Sequence, residues 1–133
     1  MVLLRLARRL RQQAHTGITP SQLSALSAIE NHGPLTLGDL AALENVQPPS
    51  ISRIVGALEG EGYVDRAPDA QDRRVALVRV TPKAHRELSQ IRSERDAWLR
   101  DQLAELEPRD RECLTAAVPI LEQLLADATD HRA

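Results

Sequence analysis

The sequence predicts a mainly α-helical fold in one domain, with a single β-hairpin between its fourth and fifth helices. Three observations carry that expectation. Apolar residues recur at helical spacing through most of the 133 residues. The one run rich in β-branched residues, Val75 to Val80, follows a loop-like Pro68-Asp69-Ala70-Gln71. Capping and breaking residues fall between the periodic segments: Thr19-Pro20, Gly33-Pro34, Pro48-Pro49, Thr81-Pro82 and Glu107-Pro108. The expected order is helix-helix-helix-helix-strand-strand-helix-helix, with a short extra strand near Leu35.

Residues 2–15 place Leu3, Leu6, Ala7, Leu10 and Ala14 on one helical face and arginines opposite. Thr19-Pro20-Ser21-Gln22 opens a second helix: Thr caps, Pro takes the first turn, and Gln reaches back as in a capping box. That helix buries Leu23, Leu26 and Ile29 and stops near Asn31-His32-Gly33-Pro34. Thr36 caps a third helix with Leu40, Ala41 and Leu43 apolar. Glu44-Asn45-Val46-Gln47 forms a turn, because Asn tolerates the left-handed conformation. Pro48-Pro49 then starts a helix that reaches Gly60-Glu61-Gly62, and strands are expected at Tyr63–Arg66 and Val75–Thr81. A fifth helix over 82–104 carries Leu88, Ile91, Trp98, Leu99 and Leu103. A last one, over about 109–128, turns Cys113, Leu114, Ala117, Leu121, Leu124 and Leu125 inward, and Pro119 should kink it or shorten it by a turn.

Composition removes several classes of function. Phe is absent and Tyr63 and Trp98 are the only aromatics, which argues against platforms that stack single-stranded bases. His15, His32, His85 and His131 show no paired ligand spacing, so neither a metal nor a cofactor is expected. There is no Gly-rich phosphate loop, nucleophile elbow or Cys/His/Asp constellation, so an enzyme is not expected either. Cys113 is a lone cysteine on an apolar face, which reads as packing rather than a redox sensor. Val2-Leu3-Leu4 is cut short by Arg5 and makes no signal peptide, and no apolar run is long enough to span a bilayer. A cytoplasmic protein is expected.

Net charge is −2, yet its distribution is uneven. Residues 1–15 carry four arginines and no acid, whereas residues 101–133 carry eight acids against three arginines. Lys83 is the only lysine beside sixteen arginines, a bias that suits phosphate and guanine contacts but that a GC-rich genome explains more simply.

The stretch from Leu37 to Arg79 has the spacing of a helix-turn-helix followed by a hairpin. Ala41 supplies the small residue where the helices touch, Asn45 the turn, and Ile51 the apolar anchor, with Ile54, Val55 and Leu58 continuing its face. Opposite that stripe lie Pro49, Ser52, Arg53, Gly56 and Gly60, with Ser50 on the flank; no acid intervenes before Glu59. Such a surface can enter a major groove. A solvated face of an ordinary helical hairpin is the competing explanation. Gly56 and Gly60 each cost about 1 kcal/mol of helix propensity, which is easier to understand if the backbone approaches something closely. Asp69 and Asp72 flank the hairpin tip, and Arg73-Arg74 follow. A carboxylate beside an arginine can hold the guanidinium extended, and an extended arginine fits a narrow minor groove.

Asp72-Arg73-Arg74 through Val80-Thr81-Pro82 resembles the Asp-x-Arg wing and closing Leu-Thr element of MarR-type regulators, with Val80 in place of the commoner Leu. Gln47 to Arg53, with Leu58-Glu59 and Gly62-Tyr63-Val64, is similar to that family's recognition helix and its exit. The helix order matches over nearly the whole chain, although the first helix is shorter than usual. The resemblance implies a winged helix-turn-helix transcription regulator, commonly a repressor, that straddles palindromic double-stranded DNA as a homodimer. It implies a reading lobe at 19–81, a linking helix at 82–104, and dimerisation segments at 1–18 and 100–133. By position, Arg74 is the minor-groove arginine, Asp72 its brace and Arg73 a neighbour, while Pro49, Ser50, Ser52 and Arg53 match the base- and phosphate-contacting stretch and Gly56 lies on the same face. It further implies release by a small phenolic or anionic effector, for which Arg8, Arg9, Arg11 and His15 are candidates, although a solvated helix face is the simpler reading of these residues. The residues alone also favour a dimer, since two one-sided apolar end helices expose much surface in a monomer, the alternative being that both fold back on their own domain. The other reading is a winged-helix protein-interaction module without DNA function.

Overall fold

The computed structural model describes residues 1–13 and 17–130. The order is α1 (Val2–Gln12), α2 (Pro20–His32), α3 (Leu37–Glu44), α4 (Pro48–Gly60), β1 (Val64–Pro68), β2 (Ala76–Val80), α5 (Pro82–Ala104) and α6 (Pro108–Asp130). The mainly α-helical winged fold is therefore present as expected. The chain divides into two compact units, Met1–Arg95 and Asp96–Ala133. Ala14 and His15, expected within the first helix, lie outside the described residues.

Local chemistry explains the helix ends. The Thr19 hydroxyl accepts from the Gln22 backbone N–H (3.2 Å), and Gln22 Oε1 accepts from the Thr19 N–H (2.8 Å), which completes the capping box. Gln22 is itself buried, and its Nε2 donates to Glu61 Oε1 at 3.2 Å, so the residue that starts α2 also grips the far end of α4. Thr36 caps α3 by accepting from the Asp39 N–H. The Thr81 hydroxyl accepts from the Ala84 N–H and donates to the Gly62 carbonyl at 2.7 Å, joining the start of α5 to the α4 exit.

The core of the first unit is aliphatic: Leu26, Ile29, Leu40, Ile51, Val55, Leu58, Val78, Leu88 and Ile91 are buried with Ala25, Ala41 and Ala84 between them. Leu23 is only half-buried, at its edge. β1 and β2 pair antiparallel from Val64↔Val80 to Pro68↔Ala76. The expected extra strand near Leu35 is reduced to one antiparallel bridge, in which Leu35 and Val78 exchange backbone hydrogen bonds of 3.0 and 2.7 Å. The first strand starts at Val64 rather than Tyr63 and extends to Pro68, because Pro68 closes the ladder at the tip where its missing N–H breaks no further pairing.

In the second unit, two expectations need correction. Of the two outcomes expected at Pro119, a kink or a shortening, the shortening does not occur: α6 continues to Asp130 with the proline inside it. Cys113, Leu114, Leu121, Leu124 and Leu125 are exposed rather than inward, and Ala117 is half-buried. The apolar periodicity of α6 is real, but periodicity records that a face needs cover, not that the same chain supplies it.

One polar cluster ties α2 to α5. Glu30 Oε1 lies 2.9 Å from His85 Nδ1, and Glu30 Oε2 accepts from Arg92 Nη1 at 2.7 Å. The Arg92 hydrogen bond lowers the Glu30 carboxyl below its ordinary 4.5; partial burial opposes this and His85 adds to the lowering. A folded-state value below the unfolded one stabilises the fold above the ordinary carboxylate range, and that contribution is lost as pH falls through the lowered value. Acid titration of the unfolding midpoint should therefore show Glu30→Gln losing less stability than wild type between roughly pH 6 and pH 3. Parallel acid limbs for the two proteins would contradict this role.

Candidate nucleic-acid interface

The turn between α3 and α4 is built by a Schellman arrangement. Asn45 adopts φ 53° and ψ 45°, its N–H donates to the Ala42 carbonyl at 3.2 Å, and the Val46 N–H donates to the Ala41 carbonyl at 3.1 Å. The exit of α4 repeats it. Gly62 adopts φ 77°, its N–H donates to the Glu59 carbonyl, and the Tyr63 N–H donates to the Leu58 carbonyl at 2.9 Å. Lys83 secures this exit, donating from Nζ to the Glu61 carbonyl at 2.6 Å while lying 4.4 Å from the Tyr63 ring centroid.

Between these fixed ends, Ile51, Val55 and Leu58 are fully buried and Ile54 is half-buried. The opposite side of α4 is exposed: Pro49, Ser50, Ser52, Arg53, Gly56 and Gly60. A Cβ added at Gly56 or Gly60 would meet nothing within 4 Å, so no intramolecular packing requires glycine at either position.

The wing tip is ordered by two Asx turns. Asp69 Oδ1 accepts from the Gln71 N–H at 2.7 Å, and Asp72 Oδ1 accepts from the Arg74 N–H at 3.0 Å. Asp72 thus braces the backbone of Arg74 and not its guanidinium, a correction to the sequence expectation: the chain reverses here, and the nearest donor to the carboxylate is the amide two residues on. Asp72, Arg73 and Arg74 are all exposed.

Ion pairing sorts the cations of this surface. Arg66 Nε donates to Glu59 Oε2 at 3.1 Å, and Arg79 pairs with Asp65, its cross-strand neighbour. Among the described residues, Arg53, Arg73 and Arg74 have no acidic partner. The stretch is therefore not basic in total, yet the three arginines left open are those of the α4 face and the wing.

Of the effector candidates, Arg8 and Arg11 border an open groove along α1 with Met1, Leu4 and Arg5. Arg9 lines neither that groove nor the next cavity, and His15 lies outside the described residues. Arg11 also lines a cavity of about 310 Å³ with Pro20, Leu23, Ser24, Ser27 and Arg95. Arg95 Nε and Nη2 are buried there without a hydrogen-bond partner. Sequence reasoning missed Arg95; its only signal was an arginine following Leu88 and Ile91, four residues past Ile91, on the inward side of α5.

A profile described as MarR family matches residues 18–76. An HTH-type transcriptional regulator of Mycobacterium bovis is 36% identical over 129 residues, which is 96% of this chain and 90% of that one. A crystal structure of a transcriptional regulator protein from Pseudomonas aeruginosa aligns with TM-score 0.81 and 32% identity over 94% of this chain and 89% of that chain. The Staphylococcus aureus protein MepR, in a mutant form bound to an oligodeoxyribonucleotide, shares the fold with TM-score 0.74 and 22% identity over 94% of this chain and 93% of that one. With the turn, the outward helix face and the braced wing in place, the chain belongs to the MarR family of DNA-binding transcription regulators.

Proposed function

We propose that the chain acts as a homodimeric repressor on a palindromic operator, with α4 in the major groove and the wing arginine Arg74 in the flanking minor groove. The observation that carries this reading is the pairing pattern: Arg53, Arg73 and Arg74 stand exposed and without acidic partners beside arginines that are neutralised. Pro49, Ser50 and Ser52 supply small polar or apolar contacts on the same side, and the bare backbone at Gly56 permits close approach to the duplex. Asp72 fixes where Arg74 leaves the hairpin. MepR, which has this fold, was crystallised with an oligodeoxyribonucleotide, in keeping with such docking.

The dimer reading rests on α1 and α6. Leu3 and Leu6 on α1, and Leu114, Val118, Ile120, Leu121 and Leu124 on α6, are exposed large apolar residues. Each helix leaves an apolar face uncovered, and a second chain would cover them. The acidic surplus at 101–133 lies in this α6 region and not on the α4 face, which weakens the protein-interaction alternative.

The effector reading keeps Arg11 of the α1 arginines and adds Arg95, which lines the same cavity. Arg95 is half-buried and its Nε and Nη2 have no hydrogen-bond partner among the described residues, so an anion seated against the guanidinium would supply acceptors. Ser24 and Ser27 add hydroxyls, and Leu23 adds an apolar wall suited to a small aromatic anion.

Three outcomes test this reading. In fluorescence anisotropy with the palindrome from its own promoter region, Arg74→Ala should bind at least about tenfold more weakly, the equivalent of ~1.4 kcal/mol; equal affinity at physiological salt rejects the wing assignment. Gly56→Ala should raise unfolding stability by about 0.5–1 kcal/mol while weakening duplex binding, and a gain in both properties would argue against close backbone approach. With millimolar 4-hydroxybenzoate as probe, wild type should gain thermal stability and release the duplex, whereas Arg95→Gln should do neither. An equal thermal shift in both proteins removes Arg95 from the site.

A further inference from the structure

We infer that Glu59 restrains sequence-independent DNA affinity by neutralising Arg66 at the edge of the reading face. This rests on the assignment of the exposed α4 stripe to the duplex. Glu59 lies seven residues after Ser52, so at 3.6 residues per turn it projects within roughly 20° of Ser52 on the same stripe. Its carboxylate is the acid on a face otherwise made of small polar residues, glycines and Arg53.

Arg66 reaches this carboxylate from the wing. In the hairpin register Arg66 pairs with Val78 and shares its face with Val64, both of which are buried, while Arg66 itself is exposed at the edge of that face. Its Nε donates to Glu59 Oε2 at 3.1 Å, with the two side chains 34% and 43% exposed. The guanidinium is therefore held beside the stripe, in reach of any polyanion that covers it. Asp65 and Arg79, one residue out of phase, pair on the opposite face of the hairpin and do not compete.

Exposed ion pairs contribute little to folding. The Glu59–Arg66 pair is accordingly a weak reason for the fold and a strong influence on charge. An unpaired arginine here would neutralise one phosphate and release its counterion, and each such contact steepens the dependence of log K on log salt by about 0.9. Glu59 cancels that contact and adds its own repulsion toward the backbone. The chain thus keeps Arg53, Arg73 and Arg74 open and Arg66 closed, which limits the binding any sequence receives.

The test compares wild type, Glu59→Gln and the Glu59→Gln/Arg66→Gln double variant on two duplexes: the promoter palindrome and a scrambled duplex of equal length and composition. Glu59→Gln should tighten both by a similar factor, on the order of fivefold per protomer at physiological salt, and steepen the salt slope by about 0.9 per protomer. The double variant should return close to the wild-type slope. An unchanged slope in Glu59→Gln overturns the inference. So does weakened binding confined to the palindrome, which would mean that the pair instead positions the wing. Absence of salt-sensitive binding by wild type would sink the underlying assignment of α4 along with it, an outcome distinct from both. Unfolding midpoints measured alongside should be nearly equal for the three proteins, since the pair is exposed.

Discussion

The helical phase of α4 is the constraint on which the remaining structure depends. Ile51, Val55 and Leu58 are completely buried, against a floor that includes Leu26, Ile29, Leu40 and Ala41. Burying each such side chain contributes roughly 1.5–3 kcal/mol, whereas an exposed ion pair contributes about 0–1 kcal/mol. The apolar stripe therefore decides how the helix is rotated, and the charged groups accept the result. Once it is set, Ser52, Arg53 and Gly56 have only one direction in which to project. The Schellman turns at Asn45 and Gly62 fix where the helix begins and ends, so its exposed side is presented with little freedom to roll.

The same logic reconciles a net charge of −2 with a DNA-binding family. Bulk charge governs long-range attraction, but a docked surface responds to the cations that reach it unneutralised. Here the acids are spent in two ways. Glu59 and Asp65 pair with Arg66 and Arg79, while Asp69 and Asp72 are occupied with backbone amides of the wing loop. A carboxylate that organises a turn still carries charge, yet it also pins the point from which Arg74 departs.

Features decided by neighbouring residues were readable from the sequence. The Thr19–Gln22 capping box, the Asn45 turn and the Ala41–Ile51 spacing each depend on a few positions, and each appears in the fold. The outward set on α4 followed from periodicity alone. What could not be read depends on long-range placement or on a second chain. The amphipathic face of α6 was legible, but whether Leu114 and Leu121 point into their own core was not, and they are exposed. Arg95 became visible only when α1, α2 and α5 were brought around one cavity. The pairing of Arg66 with Glu59, rather than with an acid nearer in the wing, depends on how α4 packs beside β1. The role of Asp72 was misjudged because sequence adjacency shows which groups are close, not which donor wins.

Affinity cleavage tests the docking geometry most directly. In a Cys113→Ser background, a single cysteine carrying an iron chelate would be placed at exposed Ala57 on α4, or at exposed Gln71 on the wing tip. With α4 in the major groove and the wing beside it, position 57 should cut within the two half-sites of the palindrome, and position 71 only in the flanking segments. Indistinguishable patterns from both positions, or cleavage spread evenly along the duplex, would contradict that geometry.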